Sequence, residues 1–348
     1  MTMLFITQKW DERDSVLGFV PSWVSALGSR AQKMTVICLE EGSSTVPRTT
    51  TVLSLGKEHG ATQMQRILRF YRLVWKYRKD YDTVFVHMNP EYIILAGLLW
   101  RLLGKRVVLW YAHGTVTWEL RVGAIFAHRI LTSTSEGCQL RSKKIRVIGQ
   151  AIDTELFRPA DNNHSNIPIS LVVVGRISPS KGQLNTIYAL KELHSIGLGA
   201  HLTIIGEPVY ESDREYQNKC TQYIRDNNLS QYVTFTGPQE RHRLAEMLSS
   251  MTLCINMSTT GSLDKAGLEA LSAGVPLITG NEAFRSIIRD TAPELMIEGV
   301  DTGDIVRAIR WYVALSQNEK DAKASTLREK VIRNHSLATF AERMMNAL

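Results

Sequence analysis

A short apolar run that leads into a loop with glycine, arginine and lysine is the part of the chain best suited to bind an anion. Leu171 to Val174 is continuously apolar and predicts a buried parallel strand. Gly175 follows at once and lets the backbone turn and approach a ligand closely. Arg176 and Lys181 add two cations, and a helix that starts near Lys181 offers free N–H groups. The pattern predicts a diphosphate site, with a solvated strand-to-helix turn as the simpler interpretation.

A second segment suited to ligand binding lies nearly one hundred residues further on. Gly261 to Thr279 reads as a loop, a helix that stops at a glycine, and another buried strand. Glu269 lies on the helix, and a carboxylate suits a vicinal diol because it accepts two hydrogen bonds and donates none. A solvated carboxylate is the simpler interpretation of Glu269. Asp264 is equally compatible with a helix N-cap and with sugar binding, and Lys265 with a phosphate contact or a solvated position.

Together the two segments resemble the family 4, or group 1, glycosyltransferases, which have the GT-B fold. In that family the Gly-Arg…Lys-Gly loop binds the diphosphate of a nucleotide sugar. A Leu-Glu-Ala-hydrophobic-Ala-x-Gly-x-Pro helix carries the glutamate that holds the ribose hydroxyls. The resemblance implies that the donor is bound by a set of eight residues: Gly175, Arg176, Lys181, Gly261, Ser262, Leu263, Asp264 and Glu269.

The resemblance extends into the first half of the chain. Met3 to Thr7 followed by Gly18 is similar to the family's first strand and acceptor loop, which implies that Gly18 lies on the acceptor side. Lys105 to Gly114 resembles a strand that ends in His-Gly and places an imidazole, here His113, beside the donor sugar. Ile145 to Asp153 resembles the interdomain signature. The alternative for His113 is a strand-end histidine bonded to neighbouring backbone.

One position departs from the family pattern. Two glutamates with seven residues between them are usual, and the position eight before Glu269 is Gly261. The missing glutamate normally contacts hydroxyls of the transferred sugar, so the donor sugar and the catalytic activity are left open at this point. Asp264 is the nearest carboxylate that could replace it. A catalytically silent, nucleotide-binding partner subunit is therefore an alternative to an active transferase.

Length and composition predict a two-domain α/β protein. A chain of 348 residues exceeds the size at which single cores stop growing, and 44% hydrophobic with 22% charged residues is typical of globular proteins. Apolar β-branched runs alternate with helical periodicity, which predicts parallel sheets covered by helices. The expected fold is GT-B, with two Rossmann-like domains facing across a cleft. We place an acceptor-side domain at 1–160, a turn-rich linker at Arg158 to Pro168, a donor domain at 168–325, and a helix at 326–348 that the resemblance places on the first domain.

Charge and cysteine usage bear on location and partners. The net charge is +7, and residues 63–79 combine an apolar helical stripe with six cations and no acid. Such a helix predicts docking on anionic lipid at the inner face of the plasma membrane, although a solvated basic face explains it equally well. No zinc-finger or aromatic RNA-binding signature supports nucleic acid as a partner. Four separated cysteines and no long apolar segment predict a cytoplasmic protein.

The resemblance implies a retaining, metal-independent hexosyltransferase in cell-surface polysaccharide or glycolipid synthesis. It would move a hexosyl group from a nucleotide-diphosphate sugar, the donor substrate, to a glycan or lipid-linked acceptor. Arg176 and Lys181 would stabilise the departing diphosphate and His113 would orient the sugar, so these three are the predicted catalytic residues. No cofactor and no metal ligand are predicted. A nucleotide-sugar epimerase of the same architecture is the competing enzyme, whereas a phosphorylase would need pyridoxal phosphate and a Rossmann dehydrogenase a Gly-x-Gly-x-x-Gly.

Overall fold

Two units make up the computed structural model, which describes residues 1–160, 168–258, 261–299 and 301–348. Unit 1 comprises Met1–Ala151 together with Leu337–Leu348, and unit 2 comprises Ile152–Ser336. The predicted linker, Arg158 to Pro168, falls within unit 2, and its residues 161–167 lie outside the described residues. Both units are parallel α/β structures, which confirms the predicted fold class.

A parallel sheet forms the centre of unit 1. Its strands are β1 (Thr2–Trp10), β2 (Lys33–Glu41), β3 (Thr50–Ser54), β4 (Thr83–His87), β5 (Arg106–Trp110), β6 (Arg129–Thr132) and β7 (Ile145–Val147). They lie in the order β3-β2-β1-β4-β5-β6-β7. The order reverses between β1 and β4, and in open α/β sheets ligands bind outside the carboxyl ends of the strands at such a reversal.

Four helices connect these strands. They are α1 (Val20–Gly28), α2 (Gln63–Lys76), α3 (Glu91–Leu102) and α4 (Trp118–Phe126). Helix α2 begins with a capping box, in which Thr62 Oγ1 accepts from Gln65 N at 3.4 Å and Gln65 Oε1 accepts from Thr62 N at 2.8 Å. The basic helix predicted at 63–79 therefore begins where expected but ends at Lys76, so Lys79 lies beyond it.

Unit 2 repeats the same topology on a smaller sheet. Its strands are β8 (Ile169–Val174), β9 (Ala200–Ile205), β10 (Val233–Gly237), β11 (Leu253–Asn256) and β12 (Leu277–Thr279), in the order β10-β9-β8-β11-β12. Its helices are α5 (Gln183–Ser195), α6 (Glu211–Asp226), α7 (Arg241–Ser249), α8 (Lys265–Ser272), α9 (Arg285–Ile288), α10 (Thr302–Ala314) and α11 (Gln317–His335). The order reverses between β8 and β11, so the loops that follow these two strands flank the crevice of unit 2.

The last helix, α12 (Leu337–Ala347), belongs to unit 1. Because successive side chains of a strand point to opposite faces of the sheet, β1 contributes to two hydrophobic cores. Leu4 lies on the side with the buried Trp100, whereas Phe5 lies on the side with α1 and α12. On that second side the rings of Trp23 and Phe340 lie 4.5 Å apart.

Helices α2, α3 and α4 carry exposed apolar side chains, which we call the α2–α4 surface. Its members are Met64, Leu68, Tyr71, Trp75, Leu98, Leu102, Trp118 and Ile125. Tyr71 Oη donates to Leu95 O at 2.7 Å, which joins α2 to α3. None of the described helices combines the length and the apolar character needed to cross a membrane.

Candidate functional site

Three glycines allow the loop after β8 to lie against neighbouring backbone. Gly175 and Gly206 adopt φ of 135° and 139°. A Cβ on Gly206 would lie 2.1 Å from the carbonyl oxygen of Gly175, and a Cβ on Gly182 would lie 2.6 Å from Met257 Cβ. Ile177 N donates to Glu207 O at 3.1 Å, so the loops after β8 and β9 are bonded through their backbones. Only glycine fits these positions without displacing the loops.

Arg176 is paired with an acid that the sequence analysis did not single out. Its Nε lies 3.6 Å from Asp213 Oδ2, and its guanidinium lies 5.2 Å from the ring centroid of Tyr210. Asp213 is itself buried and accepts from the backbone N–H of Val209 and of Tyr210, at 3.2 and 3.1 Å. The Arg176 side chain is 40% exposed. A partly exposed guanidinium held by a fixed acid can bind an anionic ligand after a small movement.

Lys181 and Asp264 meet at the reversal between β8 and β11. Lys181 Nζ donates to Asp264 Oδ2, which also accepts from Asn256 Nδ2 at 3.0 Å. Asp264 Oδ1 accepts from Ala266 N at 3.2 Å, so Asp264 is the N-cap of α8 as well as the partner of Lys181. Burial acts to raise the pKa of Asp264, but the charge of Lys181 and these hydrogen bonds outweigh it and lower that pKa. Asp264 is therefore an ionised carboxylate, and it is paired with Lys181, the lysine predicted to bind phosphate.

Glu269 is buried on α8 beside a second cation that the sequence did not indicate. Arg241 Nη1 lies 3.2 Å from Glu269 Oε1, and the two side chains are 13% and 7% exposed. The Arg241 guanidinium also lies 5.2 Å from the ring centroid of Phe157. Burial raises the pKa of Glu269, and the charges of Arg241 and Lys265 oppose the rise. The solvated helix carboxylate, which was the simpler interpretation of Glu269, is therefore wrong.

The other residues predicted at the donor site lie on the loop before α8. Gly261 adopts φ of 69°, and the carbonyl oxygen of Ser262 accepts from Asn281 Nδ2 at 2.9 Å. The side chain of Leu263 is 4% exposed and packs in the hydrophobic core of unit 2. Any contact of Leu263 with a ligand therefore involves its backbone. The donor contacts of these three residues stay predictions.

His113 and Gly18 belong to unit 1. His113 is exposed just after β5, and its Nδ1 accepts from Thr115 N at 3.1 Å. This is the bond to neighbouring backbone that was the alternative for this histidine, and its role toward a donor sugar stays a prediction. Gly18 is buried two residues before α1, and its N donates to Asp14 O at 3.0 Å.

A cavity of about 450 Å³ opens in unit 1 near the carboxyl ends of β1 and β2. Aromatic side chains of Phe70, Tyr92 and Trp118 line it together with the amides of Gln8 and Asn89. An apolar cavity with a few polar groups is the usual form of a small-molecule site.

Strained backbone adjoins this cavity. Asn89 N donates to His87 O at 2.9 Å across Met88, which adopts φ of 65°. Such a γ-turn is uncommon and costly for a residue with a side chain, and strained residues of this kind cluster at functional sites. No sequence pattern predicted this turn.

One Asp-x-Asp triplet, the pattern of many metal clamps, occurs at Asp80-Tyr81-Asp82. It lies at the amino end of β4. Asp80 pairs with Lys33 at 3.5 Å, Tyr81 is buried, and Asp82 accepts from Thr2 N at 3.0 Å. These contacts give the triplet a structural role, tying β4 to β1 and β2.

Two Rossmann-like units, the second with a cationic loop at its strand reversal, define the GT-B class of proteins. Residues 168–314 match the family model described as glycosyl transferases group 1. This match lies within unit 2 and confirms the resemblance inferred from the motifs of that unit.

Relatives with curated names are similar to parts of the chain. A D-inositol 3-phosphate glycosyltransferase of Acidothermus cellulolyticus is 27% identical over 202 residues, which cover 53% of this chain and 45% of that protein. A GDP-mannose-dependent alpha-(1-6)-phosphatidylinositol monomannoside mannosyltransferase of Mycobacterium tuberculosis is 26% identical over 70% of this chain and 69% of its own. The match thus spans less than half the length of the first of these relatives.

Solved structures share the whole fold at low identity. HepE of Anabaena, crystallised with UDP and glucose, has a TM-score of 0.77 and 14% identity, covering 99% of this chain and 98% of its own. Sucrose-phosphate synthase of Thermosynechococcus elongatus has a TM-score of 0.76 and 15% identity, again covering 99% and 98%. These likenesses establish the fold over nearly the full chain.

Proposed function

We propose that the protein is a glycosyltransferase that moves a hexosyl group from a nucleotide-diphosphate sugar to a glycan or lipid-linked acceptor. The pairing of Lys181 with Asp264, at the start of the helix that carries the buried Glu269, is the observation that supports it most. A diphosphate can supply the negative charge that Asp264 and Asp213 now provide to the two cations. Glu269 is suited to accept hydrogen bonds from the ribose hydroxyls.

A nucleotide-diphosphate hexose as donor is supported by the proteins described above. HepE has been crystallised with UDP-glucose, and the mycobacterial relative is GDP-mannose-dependent. Both compounds present a diphosphate, a ribose and a hexose, and the groups at the strand reversal of unit 2 are of the types that bind the first two.

The proposed reaction depends on stabilising the leaving group. Cleavage of the bond between the anomeric carbon and the diphosphate leaves negative charge on the phosphate and positive charge on the sugar ring. Arg176 and Lys181 stabilise that phosphate most when cleavage is advanced, so they bind and catalyse. We further propose that the leaving phosphate takes the proton of the acceptor hydroxyl and that the anomeric configuration is retained. In this proposal two side-chain cations replace a metal ion.

The acceptor site is proposed in unit 1, in the cavity lined by Trp118, Tyr92 and Asn89. Aromatic faces and amides together suit an acceptor with an apolar part and several hydroxyls. The apolar α2–α4 surface and the exposed basic residues of α2 adjoin this cavity through α2 and α4. A lipid-linked acceptor at an anionic membrane fits both features.

Binding of nucleoside diphosphates is the first test of this proposal. Thermal shift with uridine, guanosine, adenosine and thymidine diphosphates should show stabilisation by one base, with loss in Arg176→Ala and Glu269→Ala. Arg214→Ala is the matched control, because Arg214 is an exposed arginine next to Asp213. A folded wild-type protein that none of the four compounds stabilises would contradict the proposal.

Turnover is the second test. With the corresponding sugar nucleotide, Arg176→Ala should lower kcat/KM by about a hundredfold or more, as expected when a charge-assisted contact to the leaving group is lost. Activity should persist in EDTA, and NMR of the product should show a retained anomeric configuration. Full turnover by Arg176→Ala would refute the leaving-group role.

A silent nucleotide-binding subunit is the second candidate, and Gly261 favours it. Glycine at this position removes one carboxylate of the family pattern, and the nearest acid, Asp264, is engaged by Lys181 and Asn256. Tight nucleotide binding without transfer or donor hydrolysis would establish this alternative. An epimerase would instead convert the sugar nucleotide with no acceptor present.

A further inference from the structure

We infer that Arg241 is a positioning residue that sets the preference of the nucleotide site for ribose over sugars that lack the 2′ and 3′ hydroxyls. The inference rests on the proposed function, in which Glu269 accepts hydrogen bonds from those hydroxyls. Arg241 would not touch the ligand. It would act by holding Glu269 in one orientation and in its ionised form.

The contacts of Arg241 fix the Glu269 carboxylate from outside its own helix. Arg241 is the first residue of α7, and its Nη1 reaches Glu269 Oε1 on α8 at 3.2 Å. The guanidinium is supported on a second side by the ring of Phe157, at 5.2 Å from the centroid. Both side chains of the ion pair are largely buried. A buried side chain with fixed neighbours keeps one rotamer, and this is the condition for directional hydrogen bonds to a diol.

The charge of Arg241 has a second effect on Glu269. A carboxylate taken out of water tends to bind a proton, and burial does raise the pKa of Glu269. Two positive charges oppose this rise, and the charge of Arg241 has a larger effect than that of Lys265. Lys265 is a weaker support because burial lowers its own pKa well below the usual range. Without Arg241 the carboxyl would more readily be neutral, and a neutral carboxyl has fewer acceptor sites for a diol.

A thermodynamic cycle, in which Arg241 and the ribose hydroxyls are removed separately and together, tests this role. The dissociation constants of the ribonucleoside diphosphate that stabilises the protein and of its 2′,3′-dideoxy counterpart are measured by calorimetry. For the wild type we expect a preference for the ribonucleotide of about tenfold to a hundredfold, the range for hydrogen bonds to a charged group. In Arg241→Met the preference should fall to near one. Arg241→Lys should restore part of it.

Matched variants separate positioning from general damage. Arg243→Met removes an arginine of the same helix that is 64% exposed and pairs with Glu246, so the preference should be unchanged. Arg241→Gln, which keeps a hydrogen-bond donor, is used with Arg241→Met so that a folding defect in one variant leaves the other for measurement. Circular dichroism of each variant establishes that it is folded.

The possible outcomes distinguish a failure of this inference from a failure of the proposed function. A wild-type protein that binds no nucleoside diphosphate defeats the proposed function itself. A wild type that binds both ligands equally, or folded Arg241 variants that keep the wild-type preference, overturn the inference while the nucleotide site stands. Equal loss of affinity for both ligands in Arg241→Met would make Arg241 a phosphate ligand and would also overturn it.

Discussion

Lys265 places an amine near Asp264, the N-cap of α8, and Glu269 within that helix, and its Nζ is buried although part of the side chain remains accessible. Burial lowers the pKa of this amine well below its usual range, and the charge of Glu269 counteracts the effect only in part. In the unfolded chain the same amine keeps a pKa near 10.4. Between the folded and the unfolded pKa the unfolded state therefore binds more protons, so stability rises with pH over that interval.

Replacing Lys265 by Met should stabilise the protein near neutral pH. The variant no longer has to bury or deprotonate an amine, and we expect a gain on the order of 1 kcal/mol in the free energy of unfolding. The gain should shrink as the pH approaches 10, because the wild type then loses the proton in both states. Urea unfolding of both proteins at pH 7 and pH 9.5 measures the difference, with Lys219→Met on the exposed face of α6 as control. A loss of stability at pH 7 would contradict it.

Helix α2 illustrates what an element contributes beyond its packing. Phe70 and Val74 are its buried residues, while Trp75 is 51% exposed in line with other apolar residues of the α2–α4 surface. Arg72 and Lys76 are exposed on the same helix. Cations beside exposed aromatic and aliphatic side chains are the composition of helices that lie on anionic lipid.

Two charge removals on α2 should weaken binding to anionic vesicles. Arg72→Gln combined with Lys76→Gln is expected to lower affinity for phosphatidylglycerol-containing vesicles about thirtyfold, since each cation contributes about 1 kcal/mol near such a surface. Sedimentation with vesicles, with pure phosphatidylcholine as reference, measures this. Lys219→Gln combined with Arg225→Gln, on the exposed face of α6, should have no effect. If the wild type and both double variants sediment equally, the basic face of α2 is merely solvated and does not bind lipid.

At the scale of the whole molecule, the chain leaves unit 1 at Ala151 and returns to it at Leu337. Phe340 on the returning helix is fully buried against Trp23 and lies 5.3 Å from the ring of Trp110. Unit 1 is therefore built from both ends of the described chain. Six of the seven tryptophans lie in it, and only Trp311 lies in unit 2.

Phe340→Ala should destabilise unit 1 by about 3–5 kcal/mol, the range for removing a buried aromatic side chain. Tryptophan fluorescence follows the unfolding of unit 1 in urea, because most of the signal originates there. The nucleotide site of unit 2 has no contact with Phe340 in our proposal, so the variant should still bind nucleoside diphosphate under native conditions. Glu342→Ala, an exposed position of the same helix, is the control. An unchanged transition in Phe340→Ala would show that α12 contributes little to unit 1.

The sequence predicted the fold well because its signals are local. Continuous apolar runs such as Leu171 to Val174 mark buried strands, and the loop motifs follow them directly. The partners of the site residues were not predicted. Arg241 lies 28 residues from Glu269, and Asp213 lies far from Arg176 along the chain, inside polar helical segments that look solvated. Only folding brings such groups together, and a single sequence carries no record of that proximity.

The acids that hold Arg176 and Lys181 also decide which anions can compete for this loop. Chloride or inorganic phosphate that reaches one cation must displace Asp213 or Asp264 and gains only one new pair in return. A ligand with two linked phosphates reaches both cations at once, and its second contact is intramolecular. We therefore expect this loop to bind the small anions abundant in a cell only weakly, and so to remain available for the ligand that spans it.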